Sequence, residues 1–156
     1  MSAEWPRDAA PSDAEDLTEL ERVASSAALA EVFPPEQYPF PTEGVCARWR
    51  DTLAEPGVTT LVWRQDGRMV AFVTFDAATL RNLAVHPDRW GEGLARVAMD
   101  VAARRMTAPV HDLWVLEDNL HARAVYEKMG WRPSGESTPL EWPPHPVLLR
   151  YLKPAG

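Results

Sequence analysis

The sequence predicts an α+β fold: a mixed, mainly antiparallel sheet flanked by helices. Three observations predict it. Residues 59 to 85 contain three β-rich apolar runs, TTLVWR, MVAFVTF and LRNLAV, joined by connections too short for anything but antiparallel neighbours. An amphipathic helical stretch, LARVAMDVAARRM, then separates LRNLAV from a further apolar run, HDLWVL. A helix of that length between two strands makes them parallel neighbours in one sheet. A last run, VLLRYL (147 to 152), closes the sheet.

The elements follow in chain order. Ser12 and Glu15 have capping-box spacing, and Leu17, Leu20, Val23 and Ala24 recur at helical spacing, predicting a helix from Asp13 to Val32. The proline-rich stretch FPPEQYPFP (33 to 41) ends it. Thr42 can cap a second helix whose apolar stripe is Val45, Trp49 and Leu53, and Pro56-Gly57 stops that helix. Asp66-Gly67 inside RQDGR is a two-residue hairpin signal between the first two strands. In the helix after the third strand, Leu94, Val97, Ala98, Val101 and Ala102 share one face. Asn119 opens a short helix that ends at Met129-Gly130, with Gly130 as the left-handed residue beyond its C-terminus. STPLEWPPHPV (137 to 147) reads as a second ordered, aromatic-bearing loop.

Composition narrows the function classes. A chain of 156 residues is one domain by length, and 46% apolar with 25% charged residues is ordinary for a globular protein. The formal charge is −7, and Lys and Arg form no cluster, so neither nucleic acid nor an anionic membrane is an expected partner. Cys46 is the one cysteine, which rules out an internal disulfide and fits a reducing cytoplasm. The first sixteen residues lack the basic-then-apolar order of a leader, and no apolar run reaches the roughly 18 residues of a membrane span. A cytoplasmic location is therefore expected. The four histidines have no metal-ligand spacing, so no metal is expected.

The chemistry concentrates in HPDRWGEGLAR, residues 86 to 96. Gly91 and Gly93 follow a strand and precede a helix. Helix N-termini carry unpaired N–H groups and partial positive charge, and glycine lets a ligand approach the backbone, so such a turn suits a phosphate. A bare strand-to-helix turn would have the same two glycines. Arg96 stands where a dinucleotide site needs its third glycine, and the preceding strands form a meander rather than a βαβ unit. Asn119 and Tyr126 lie seven residues apart, on one helical face near the mouth between the two parallel strands. A helical tyrosine packed on the core would occupy the same position.

Together these residues resemble the GNAT superfamily of N-acetyltransferases. The family turn, Gln/Arg-x-x-Gly-x-Gly/Ala, is similar to Trp90-Gly91-Glu92-Gly93-Leu94-Ala95. Its preceding Leu-x-Val-x-Pro matches Leu83 to Pro87, and Asn-x-x-Ala-x-x-x-Tyr-Glu-Lys-x-Gly-Phe matches Asn119 to Trp131. Trp90 departs from the usual Gln or Arg, and Trp131 replaces the final Phe. The resemblance covers residues 58 to 152. It implies one GNAT-like domain over 1 to 156, with a helical part at 1 to 57 and a cofactor-binding core at 58 to 152. The parallel strand pair would be splayed.

The resemblance implies acetyl-CoA as cofactor. Its pyrophosphate would lie on the amides of Gly91, Glu92, Gly93, Leu94, Ala95 and Arg96, with Arg89 or Arg96 adding charge or lying solvated at the surface. Its pantetheine arm would pair with Leu83, Ala84 and Val85, and Asn119 would hold the arm from the other side. Tyr126 would protonate the departing thiolate, and a backbone N–H of the 83-to-85 strand would meet the oxyanion. Transfer would go by direct attack in a ternary complex, with Cys46 a core residue rather than an acyl carrier. The base is open among Glu117, Asp118, Asp76, His86 and Glu136.

The acceptor pocket is expected between the two proline-rich loops and the meander, near Phe33, Tyr38, Phe40 and Trp142. Its aromatics and acids suit a small cationic amine; the same aromatics could simply fill a core. A small-molecule amine acceptor is the leading expectation. A protein or peptide amine, or a non-catalytic acyl-CoA-binding module, is the alternative. The resemblance also implies a homodimer as one possible assembly.

Overall fold

The computed structural model describes residues 6–156, so the first five residues of the N-terminal stretch lie outside it. Seven strands form one sheet: β1 (Arg7–Asp8), β2 (Thr59–Gln65), β3 (Arg68–Phe75), β4 (Thr79–Val85), β5 (Val110–Leu116), β6 (Arg132–Pro139) and β7 (Val147–Pro154), in the order β1-β2-β3-β4-β5-β7-β6. The helices are α1 (Ala14–Leu29), α2 (Thr42–Ala54), α3 (Leu94–Arg105) and α4 (Leu120–Lys128). The meander β2-β3-β4 is antiparallel, and β4 and β5 are the parallel pair, as the sequence predicts. At the β2-β3 turn Asp66 and Gly67 both take positive φ, 53° and 79°, which the two-residue hairpin requires.

The sheet is covered on both faces. On one side α3 and α4 close a core around Val73, Phe75, Leu80, Leu113 and Tyr151. On the other, Leu17 and Leu20 of α1 and Val45 and Trp49 of α2 pack on Val62, Phe72 and Ala84. Trp49 meets Phe72 edge-on at 4.9 Å between ring centroids. Double coverage explains why β3 reads as an almost unbroken apolar run instead of an alternating one. Cys46 is buried in the α1–α2 layer, consistent with a core thiol.

Several local expectations are corrected. Helix α1 stops at Leu29, and Val32 and Phe33 instead donate to the Leu29 carbonyl in a turn. The Ser12–Glu15 capping box does not form: Asp13 accepts the Ala10 N–H at 2.7 Å and is buried among arginines. Thr42 is the first residue of α2 and not its cap. Val97 is 49% exposed, because the buried stripe of α3 runs through Ala98, Met99 and Ala102. Strands β1 and β6 are unforeseen. β6, RPSGESTP, is exposed throughout and carries no apolar alternation; it is an edge strand paired with β7 alone, where its two prolines and a bulge are tolerated.

Candidate active site

The parallel pair positions the site. β4 and β5 are in register only at Thr79–Asp112 and Leu80–Leu113. Beyond these residues the strands separate, while β5 remains paired with β7 as far as Leu116. A gap therefore opens beside residues 81 to 85. The His86 N–H donates to Val70 O, which fixes the alternation of the β3–β4 ladder. In an antiparallel ladder the next bonded pair is two residues on, so the backbone groups of Ala84 face β3 and those of Leu83 and Val85 face the gap. The Leu83 N–H donates to Asn82 Oδ1 at 2.9 Å, and the Trp90 indole N–H donates to the Val85 carbonyl at 2.8 Å.

The glycine turn lies at the end of β4. Gly91 and Gly93 adopt φ of 83° and 81°, and Gly93 immediately precedes α3 with no side chain capping the helix. The backbone N–H groups of residues 91 to 96 have no partner among the described residues; the first N–H satisfied within the helix is Val97, on Gly93 O. A Cβ added at Gly91 or Gly93 would meet nothing within 4 Å, so open space lies over both. Unpaired N–H groups converging on open space at a helix N-terminus form an anion cradle. Arg89 is engaged with Glu92 at 3.0 Å and with Gln65, whereas Arg96 is exposed without an ion-pair partner among the described residues.

Asn119 caps α4, its Oδ1 accepting the Ala122 N–H at 3.2 Å. Arg123 ties that helix to the end of β5 by donating to Glu117 O at 2.8 Å and to the Tyr151 hydroxyl at 3.0 Å. Tyr151 in turn donates to Glu127 at 2.7 Å. On the inner face of α4, Tyr126 packs on the same core cluster as Leu83, Leu94 and Ala95. Its hydroxyl has no hydrogen-bond partner among the described residues, and desolvation pushes its pKa from 10.0 up to about 12.

A cavity of about 690 Å³ occupies the opposite face of the gap, lined by Asn82 of β4 and by Trp114 and Leu116 of β5. Phe33, Tyr38, Phe40 and Trp142 all line it, as expected from the two loops, but α1, α2, β5 and β7 contribute as well. The loop expected over 137 to 147 is confined to residues 140 to 146, because Ser137–Pro139 and Val147 pair in β6 and β7. Its Trp142 ring lies over Gly44, where an added Cβ would come within 3.0 Å of it, so the loop is seated directly on α2.

Residues 16–131 match the model of the acetyltransferase (GNAT) family. The chain belongs to that family. Comparison with curated protein sequences finds no match. Solved GNAT-fold structures resemble it over nearly their whole length. The PaiA N-acetyltransferase of Thermoplasma acidophilum, in complex with coenzyme A, is 15% identical over 96% of this chain and 98% of its own, with a TM-score of 0.72. YncA of Salmonella typhimurium, a putative acetyltransferase with acetyl-CoA, is 17% identical over 100% and 95%, with a TM-score of 0.69. The ribosomal-protein-S18-alanine N-acetyltransferase of Escherichia coli is 20% identical over 97% and 94%, with a TM-score of 0.71. At these identities the likeness establishes the fold.

Within this GNAT acetyltransferase, none of the four carboxylates and one histidine considered as base lines the cavity. Asp76 clasps the Ala78 and Thr79 N–H groups at 2.9 and 2.7 Å. Glu136 is held by Arg150 at 2.5 Å. His86 Nδ1 accepts the Asp88 N–H, and Glu117 and Asp118 are exposed. The carboxylate that does line the cavity is Glu21, from α1. Its Oε1 accepts from Arg48 at 2.5 Å, Trp49 Nε1 at 3.0 Å and Asn82 Nδ2 at 3.2 Å. Asn82 thus links Glu21 to the gap-facing amide of Leu83. A signal for Glu21 existed in the sequence: it falls four residues after Leu17 and three before Ala24, on the apolar stripe of α1, where an unpartnered charge would be costly.

Proposed function

We propose that this GNAT protein is an N-acetyltransferase that moves an acetyl group from acetyl-CoA to a primary amine of a small molecule, by direct attack in a ternary complex. One observation carries the reading: the run of unpaired amides at residues 91 to 96 adjoins a strand gap whose other face opens on a large cavity. The residues fit the cofactor. The amides of Gly91, Glu92, Gly93, Leu94, Ala95 and Arg96 would take the pyrophosphate, and the outward-facing groups of Leu83 and Val85 would pair with the amide-bearing arm. Asn82 and Trp90 would release those groups, or share them, as the arm enters. Ala84 lines the strand without offering backbone groups to the gap, and Asn119, which caps α4 through its Oδ1, would hold the arm from the other side.

Bound acetyl-CoA supplies the acetyl group as a thioester. Tyr126, half-buried against the core, keeps its phenol protonated, and it would donate that proton to the leaving sulfur. The Leu83 N–H would stabilise negative charge on the acetyl oxygen. The two proline-rich loops line the cavity with bulky side chains, Trp142 resting on Gly44, and this favours a small acceptor over a protein terminus.

Calorimetric titration with acetyl-CoA, with NADH and ATP as controls, tests the cofactor site; CoA release across an amine panel tests transfer. Micromolar binding of acetyl-CoA alone and turnover above background hydrolysis are expected. Tight binding without turnover of any amine would leave an acyl-CoA-binding module, and no binding would overturn the reading.

A further inference from the structure

The cavity is not the acid-lined pocket that a simple cation would favour. Its charged lining residues are Glu21, Arg48 and Arg81. Glu21 concentrates its three donors on Oε1, leaving Oε2 without a partner among the described residues. Arg48 engages only Nη2; its Nη1 has no partner among the described residues, and its Nε is buried without one. Arg81 donates through Nη1 to Glu55 at 3.0 Å and faces Asp76 at 3.7 Å; neither of those carboxylates lines the cavity. A free carboxylate oxygen thus stands directly beside a guanidinium with unused donors, and Arg81, anchored on Glu55, belongs to the same lining. The remaining walls are aromatic: Phe33, Phe40, Trp114 and Trp142.

We propose that the acceptor is a zwitterion of the α-amino-acid type: an amine with a carboxylate beside it, on an aromatic or other bulky apolar body. Resting on the acetyltransferase reading, this assigns the ammonium to Glu21 and the carboxylate to Arg48 and Arg81. In an α-amino acid the two charges are only two carbon atoms apart. Adjacent partners of opposite sign match that spacing, and Glu21 and Arg48 touch. A planar guanidinium suits a carboxylate better than any other side chain. A neutralising role for Arg48 alone would require no second guanidinium at the same cavity and no free donors on the first.

The test compares matched pairs on the wild-type protein at saturating acetyl-CoA: L-phenylalanine against phenethylamine, and L-tryptophan against tryptamine. The amino acid should have a kcat/KM at least about tenfold higher in each pair, because a site built for a polar group discriminates against its absence. In Arg48→Gln and Arg81→Gln the preference should shrink to within about threefold, with acetyl-CoA affinity unchanged. Calorimetry of each pair against the CoA-loaded protein reads the same preference without turnover. Equal or better use of the decarboxylated member overturns the proposal, as does failure to bind either amino acid by a protein that binds acetyl-CoA. Absence of acetyl-CoA binding would instead remove the acetyltransferase reading beneath it. The wild-type comparison stands even where a variant fails to fold.

Discussion

Tyr126 is half-buried on α4. It packs on the core beside Trp131, yet its hydroxyl has no partner among the described residues. Desolvation raises its pKa to about 12, so it stays protonated throughout the range in which amines react. Tyr126→Phe should lower turnover at least about tenfold and leave acetyl-CoA affinity within about twofold, measured by steady-state kinetics and calorimetry. Unchanged turnover would remove Tyr126 as the acid. The same shift has a stability consequence. A pKa raised from 10.0 to about 12 contributes stability that is complete below pH 10 and is lost as the pH climbs toward 12. Urea midpoints should therefore fall more steeply above pH 10 in wild type than in Tyr126→Phe, where only Tyr151 remains raised by burial. The position of Tyr126 on the helix that Asn119 opens was legible from their spacing. Glu21 and Asn82 were not identified, because the bonds that give them meaning join α1 to β4 across 61 residues.

At the level of elements, the strand-turn-helix unit is the most local part of the site and the most readable. Gly93 must hold a φ of 81°, yet a Cβ there would meet open space. Gly93→Val should therefore remain folded, with left-handed strain of about 1–2 kcal/mol and a Tm lower by about 2–8 °C. Acetyl-CoA affinity should fall at least about tenfold, because the branched side chain fills the space over the cradle. Native-like circular dichroism with full affinity would move the phosphate site elsewhere. Strand β6 is the opposite case. It lacks an apolar face to announce it, and only the exposed edge of β7 makes it a strand.

Across the whole molecule, Asp13 joins the N-terminal segment to the sheet. Its carboxylate accepts from Ala10 N–H, from Arg7 at 3.2 Å and from Arg64 of β2 at 2.9 Å, and its side chain is almost fully buried. Burial alone would raise its pKa. The Ala10 N–H and the two guanidiniums outweigh burial and hold it below the ordinary aspartate value. A depressed pKa means stability that is present at neutral pH and lost as pH falls through the folded value. Asp13→Asn should cost roughly 2 kcal/mol at pH 7, a Tm loss of about 4–8 °C. The gap between the two proteins should close on acidification below the aspartate range; a gap constant from pH 7 to pH 2.5 would refute the ionic account.

The sequence by itself determined the mixed sheet, the parallel crossover, the glycine turn before α3 and the place of Tyr126 on α4. Each rests on periodicity, turn chemistry or a motif within a few dozen residues. The tertiary structure decided where β4 and β5 part, which strand residues turn their backbone groups into the gap, and which charges meet in the cavity. Strand separation depends on how helices on both faces pack, and Glu21, Arg48 and Arg81 come from three elements that only the folded chain brings together.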